Sequence, residues 1–107
     1  METLLTIAEL LKTALAQRAV GFTFRSGLHP RIYSEKGVQT YDSQRSTSED
    51  IEEFVRQLVT SREMRQYRDT GVAHFKCVFE GVALIGGARR KGEDDVRVEL
   101  RRMAAVG

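Results

Sequence analysis

The sequence predicts an α+β domain, with an N-terminal helix and two central helices packed on a mostly antiparallel sheet. Three observations predict it. Apolar residues recur at helical spacing near the N-terminus and again between residues 51 and 67. From His74 onward the apolar residues instead alternate with polar ones, the period of a half-buried strand. The 107 residues, 41% hydrophobic and 30% charged, suit one domain over 1–107 with its own core rather than a disordered chain.

The elements follow in order. Thr6 and Glu9 have the spacing of a capping box, and Leu5 and Leu10 that of a hydrophobic staple. Leu4, Ile7, Ala8, Leu11 and Leu15 then mark a helix running to about Arg18. Val20 to Phe24 reads as a short strand, broken by Ser26 and Gly27. Pro30 is the only proline and disfavours helix before it. Arg31 to Ser34 and Val38 to Tyr41 make two more strands around a Lys36-Gly37 turn.

Ser46 and Glu49 form a second possible capping box, opening a helix striped by Ile51, Phe54, Val55, Leu58 and Val59. Thr60 and Glu63 repeat the spacing and start a shorter third helix, with Met64 and Tyr67 inward and Gly71 as its stop. In His74 to Glu80 the residues Phe75, Cys77 and Phe79 face one way, and His74, Lys76, Val78 and Glu80 the other. Val82 to Ala88 is the next strand, and Arg89 to Asp95 a charged turn containing Gly92. Val96, Val98 and Leu100 alternate with Arg97, Glu99 and Arg101, which completes an antiparallel meander.

Composition narrows the function. Lys and Arg number 17 against 15 Asp and Glu, a net +2 that argues against nucleic acid as the partner. One cysteine, Cys77, allows neither an internal disulfide nor a cysteine metal cluster and fits a reducing setting. There is no signal-peptide pattern and no apolar run near the roughly 20 residues that span a bilayer, so no membrane insertion is expected and the cytoplasm is the expected location.

Candidate chemistry is sparse. Gly86, Gly87 and Gly92 flank a basic stretch, but a phosphate-binding loop needs Lys followed by Ser or Thr at the start of a helix, and Lys91 is followed by Gly92 and acids. A hairpin tip explains the same residues. His29 and His74 have no companion ligand pattern, so no metal is expected, and no catalytic constellation is spaced along the chain. Cys77 between Phe75 and Phe79 reads as a buried, inert thiol. Arg89, Arg90 and Lys91 form a basic knob, answered at once by Glu93, Asp94 and Asp95.

The helix and strand order resembles the N-terminal, PAS-like domain of the type II and type IV secretion ATPases, the PilT branch above all. Glu9-Leu10-Leu11 stands where that branch has ELL, Gly21 to Phe24 where it has DLHL, and Gly27-Leu28-His29-Pro30 where it has GLPP. His74 to Cys77 stands for DFSF, Gly81-Val82-Ala83 matches the start of GVARFRV, and Leu100 to Met103 stands for FRTI. The resemblance covers nearly the whole chain and departs from the family at telling positions. Gly21, Thr23 and His74 replace an Asp, a His and an Asp. Leu84 and Gly86 replace the two arginines that support γ-phosphate sensing in the family, and Arg101 alone keeps its charge. The Walker A and Walker B motifs and the family's Asp and His boxes are absent from these residues.

The resemblance implies a PAS-like fold without a motor, binding no cofactor and hydrolysing no ATP, since no Lys for phosphates and no Ser/Thr or Asp for magnesium is in place. The expected function is a non-catalytic interaction module of pilus-based motility or secretion. Its expected partner is a protein, either a pilus or secretion ATPase or a second copy of the chain. A PAS-like sensor for a small ligand is the alternative, and the 107 residues can equally be one piece of a longer polypeptide. In the related ATPases the sheet side of this domain meets the motor domains. The candidate partner-binding residues are accordingly the basic groups flanking the sheet: Arg97, Arg101, Arg89, Arg90, Lys91, Arg25 and Arg31.

Overall fold

The structure, a computed structural model, describes residues 7–40 and 47–103. Its elements are α1 (Ile7–Ala16), β1 (Gly21–Arg25), β2 (Arg31–Ser34), β3 (Gly37–Thr40), α2 (Ser48–Leu58), α3 (Ser61–Thr70), β4 (Val72–Phe79), β5 (Val82–Gly92) and β6 (Asp95–Arg102). The strands form one sheet in the order β3-β2-β1-β6-β5-β4, every pairing antiparallel. The expected meander is its β6-β5-β4 half. The two halves join where β1 pairs with β6, Phe22 opposite Leu100 and Phe24 opposite Val98.

The helices all cover one face of this sheet. Phe22, Phe24, Ile32, Ala73, Phe75, Leu84, Ala88, Val96, Val98 and Leu100 point to that face and are buried. They meet Leu11 and Leu15 of α1, Ile51, Phe54 and Val55 of α2, and Met64 and Tyr67 of α3. Phe54 makes edge-to-face contacts with Phe24 at 5.8 Å and Phe79 at 6.2 Å between centroids. Such pairs add about 0.5–1.5 kcal/mol beyond burial.

Helix ends decide where the layer stops. The α3 signal is realised in full: Thr60 and Glu63 exchange side-chain hydrogen bonds with each other's backbone N–H, and Gly71 closes the helix at φ +77°. A side chain at Gly71 would also collide with Arg90 O, 2.8 Å from the position of a Cβ. The α2 cap is Thr47, whose Oγ1 accepts from Asp50 N at 3.1 Å, one position after the expected Ser46. Ser46, like Leu4, Leu5, Thr6 and Tyr41, lies outside the described residues.

Several boundaries differ from expectation: β3 starts at Gly37 rather than Val38 and β4 at Val72 rather than His74, and three further differences have a visible cause. Helix α1 ends at Ala16 rather than Arg18. Arg18 takes the left-handed conformation (φ 63°), Arg18 N donates to Leu15 O and Ala19 N to Ala14 O. That is a Schellman cap, unsignalled in sequence because arginine holds the place usual for glycine. Strand β1 lies one residue later than expected, although Val20 still donates to Tyr33 O and accepts from Arg102 N, both at 2.8 Å. Strand β5 continues four residues past Ala88, so Arg89, Arg90 and Lys91 belong to a strand and not to a hairpin tip. The turn is Glu93-Asp94, and a register shift falls between Arg90 and Gly92.

Candidate functional site

The helices leave the other sheet face uncovered by any described element, and strand alternation decides which side chains stand on it. Each cross-strand partner shares a face with its opposite residue. Arg25 opposes Arg97, and Arg97 opposes Arg89, so three arginines form one row across β1, β6 and β5. The next row is Arg31, Thr23, Glu99, Gly87 and His74. Beyond it runs Tyr33, Gly21, Arg101, Ile85 and Lys76.

Like charges set directly opposite destabilise a sheet. Two carboxylates offset the row in part: Asp95 approaches Arg25 at 3.7 Å, and Glu99 accepts from Arg97. With Lys91 counted, the open-face strand positions carry seven basic groups against these two acids. The net +2 of the whole chain thus conceals a local excess of five, because the acids gather elsewhere, Glu49, Asp50, Glu52 and Glu53 on α2.

The face is also apolar in places. Ile85, Val78 and Val38 stand on it by register, Met103 follows β6 on the same side, and all four are exposed. The six exposed large apolar side chains among the described residues include none on a helix. Two depressions share the sheet as their floor. One, of about 450 Å³, is lined by Arg25, Arg89, Lys91 and Arg97. The other, of about 730 Å³, is lined by Val20, Tyr33, Ile85 and Arg101. His74, Gly87 and Glu99 border both. Gly87 and Gly21 line these hollows: a Cβ on Gly87 would lie 3.4 Å from His74 Nδ1, and one on Gly21 3.6 Å from Tyr33.

The structure brings together Arg25, Arg31, Arg89, Lys91, Arg97 and Arg101 of the seven candidate residues. It separates Arg90. Arg90 opposes Val96, a core residue, and its Nη1 donates to Glu52 Oε2 of α2 at 3.2 Å. Adjacent arginines on a strand point to opposite faces, so the expected basic knob is split between two sides of the sheet. Beneath Arg90 the Tyr67 hydroxyl is sealed from solvent without a hydrogen bond of normal geometry. Burial first, and then the Glu52 charge, pushes its pKa up to about 12.

Leu84 and Gly86, the positions equated with the family's phosphate-sensing arginines, face the core rather than the open side. Leu84 is fully buried, and a Cβ on Gly86 would strike Leu100 and Phe75. An arginine at either would be buried in this chain. Cys77 is half-buried, and burial followed by Glu63 raises its thiol pKa. Alternation along β4 already set Lys76 opposite the apolar side, but the sequence reading missed Ile85 and Tyr33 as members of the face; the β5 register places Ile85 beside Lys76.

No group of three or more His, Cys, Asp or Glu among the described residues is placed to hold a metal ion. No helix among them is long and apolar enough to cross a membrane.

No protein-family model matches this chain, and no curated protein matches it significantly. Solved structures do match it. The pilus retraction motor PilT, crystallised with bound ADP, superposes over 95% of this chain with a TM-score of 0.78 at 20% identity. The ATPase DotB of Legionella pneumophila superposes over 96% with a TM-score of 0.73 at 15% identity. The chain spans only 30% and 31% of the lengths of those two chains. The likeness is one of fold, and the fold expected from the resemblance, that of the N-terminal domain of the pilus-retraction ATPases, is the one observed.

Proposed function

We propose that this domain is a non-catalytic interaction module of the kind found in pilus and secretion ATPases, acting in the cytoplasm by contact with a protein partner. The observation that carries the reading is the uncovered sheet face, which six of the seven candidate basic residues share with exposed Ile85. A face of that character is what an interface leaves behind when its partner is removed. The space between sheet and helices, where a small-ligand sensor would hold its ligand, is filled by Phe22, Phe24, Phe54 and Tyr67. Pilus-based motility or secretion is the pathway this reading assigns.

The reading is tested with purified protein used as bait in cell extract, beside an Arg97→Glu, Arg101→Glu double variant. The double variant is expected to lose the partner while keeping its circular dichroism and melting temperature. Sedimentation of the purified chain shows whether the partner is a second copy. A partner retained equally by bait and double variant would place the interface elsewhere.

A further inference from the structure

The open face is divided rather than uniformly basic. Arg25, Arg97 and Arg89 form its charged row, and the apolar hollow beside Ile85 and Tyr33 lies toward the other end of the strands. Arg97 and Arg101 mark the two zones on the same strand, four residues apart. At 3.3 Å per residue that is about 13 Å. The charged row spans three strands, about 10 Å across.

We propose that this face takes an extended acidic segment of a partner protein, with its carboxylates on the Arg25–Arg97–Arg89 row and a large apolar side chain, about four residues on, in the hollow beside Ile85. The proposal presupposes that the open face is the docking surface assigned above, and it adds the chemistry and spacing of the occupant. Guanidinium forks bind carboxylates with two hydrogen bonds each, which gives geometry as well as charge. Two acids for three arginines leave the row underneutralised, so added carboxylates relieve an existing repulsion. The hollow supplies what bare charge attraction lacks, a site for an apolar anchor.

A second copy of the chain fits this face less well. Its densest group of acids, Glu49, Asp50, Glu52 and Glu53, is on α2, and none of the exposed large apolar side chains stands on that helix to fill the hollow. A single-stranded nucleic acid would use the charged row but favours a series of aromatic platforms. By register this face offers Tyr33 and His74, at opposite sides of the sheet.

The probe is a fluorescein-labelled peptide with three glutamates and a leucine four residues after the last, joined by serine and glycine. It is compared by anisotropy with a version carrying serine for leucine, a version with leucine next to the glutamates, and a 12-mer oligothymidylate. The four-residue peptide is expected to bind tightest. Arg97→Glu and Arg89→Glu should each weaken it about tenfold, and Ile85→Ser should remove its advantage over the serine peptide. Circular dichroism controls for folding, and Ile85 and Arg89 are both exposed. Equal binding of all three peptides, no peptide binding, or tighter binding of oligothymidylate would each overturn the proposal. If the peptide fails while the Arg97, Arg101 double reversal still abolishes partner capture from extract, the interaction module stands and only its acidic-segment chemistry falls.

Discussion

Gly86 on β5 makes room for Leu100 on β6: a Cβ on the glycine would sit 2.5 Å from Leu100 Cδ2, and 2.9 Å from two carbons of the Phe75 ring on the opposite strand. The core layer over the middle of the sheet therefore depends on an absent side chain, flanked by two large ones that fill its place. One position along, Gly87 faces the other way, and a Cβ there would approach the His74 ring no closer than 3.4 Å and Ala73 O at 3.7 Å.

This contrast predicts opposite outcomes for two neighbouring substitutions. Gly86→Ala should destabilise the fold by about 1–3 kcal/mol, the usual result of overpacking a core. Gly87→Ala should leave stability within about 0.5 kcal/mol. Urea denaturation of both variants checks this, and similar losses at the two sites would contradict the assigned faces.

Arg18 ends α1 in a left-handed conformation that costs a side-chain-bearing residue roughly 1–2 kcal/mol. Arg18→Gly removes that strain but frees the unfolded chain, which returns about half of the gain. The expected net effect is a stabilisation of about 0.5–1 kcal/mol, read as a raised urea midpoint with an unchanged slope.

Thr60 should behave as a working cap. Thr60→Ala removes the acceptor for Glu63 N and should cost about 1 kcal/mol. Thr60→Ser keeps the hydroxyl and should cost much less, so the pair separates capping from loss of a methyl group.

Tyr67 makes the fold sensitive to alkali. Its folded pKa of about 12 lies above the ordinary 10.0, so the folded state holds the phenolic proton more tightly than the unfolded state. The stability this contributes is complete below about pH 10 and is lost as pH rises toward 12. Tyr67→Phe should abolish that part of the alkaline decline, and because the hydroxyl lacks a well-formed hydrogen bond, the change should cost little at pH 7. Thermal melts of both proteins across that range decide it.

Much of this fold was legible in the residues. Thr60, Glu63 and Gly71 carry the whole description of α3, because caps are local chemistry written within a few positions. The faces of β6 followed from Val96, Val98 and Leu100 for the same reason. Arg18 was not legible as a helix end, since tertiary packing of Ala19 holds it there against its own preference. The extent of β5 was hidden as well: Arg89 to Gly92 has the composition of a turn and becomes strand through pairing with Asp95 to Arg97.

The candidate site was legible as a set of residues but not as a surface. Alternation placed Arg97 and Arg101 outside the core. Nothing within β1, β5 or β6 alone reveals that Arg25, Arg97 and Arg89 stand in one row, because register between strands is set by hydrogen bonding and shared core packing. The same lack of register information left Arg90 grouped with Arg89, from which the pleat separates it.

The pairing of β1 with β6 joins segments about as far apart as the described chain allows, Gly21 with Arg101. Until β6 has been synthesised, the β1–β3 half of the sheet has no partner strand beside β1, and Phe22 and Phe24 lack the neighbours that bury them. The domain therefore cannot close during synthesis before residues 95–102 have left the ribosome. Its rate of closure is governed by a non-local encounter between early and late segments, slower than the local α3 and β4–β5 steps that precede it.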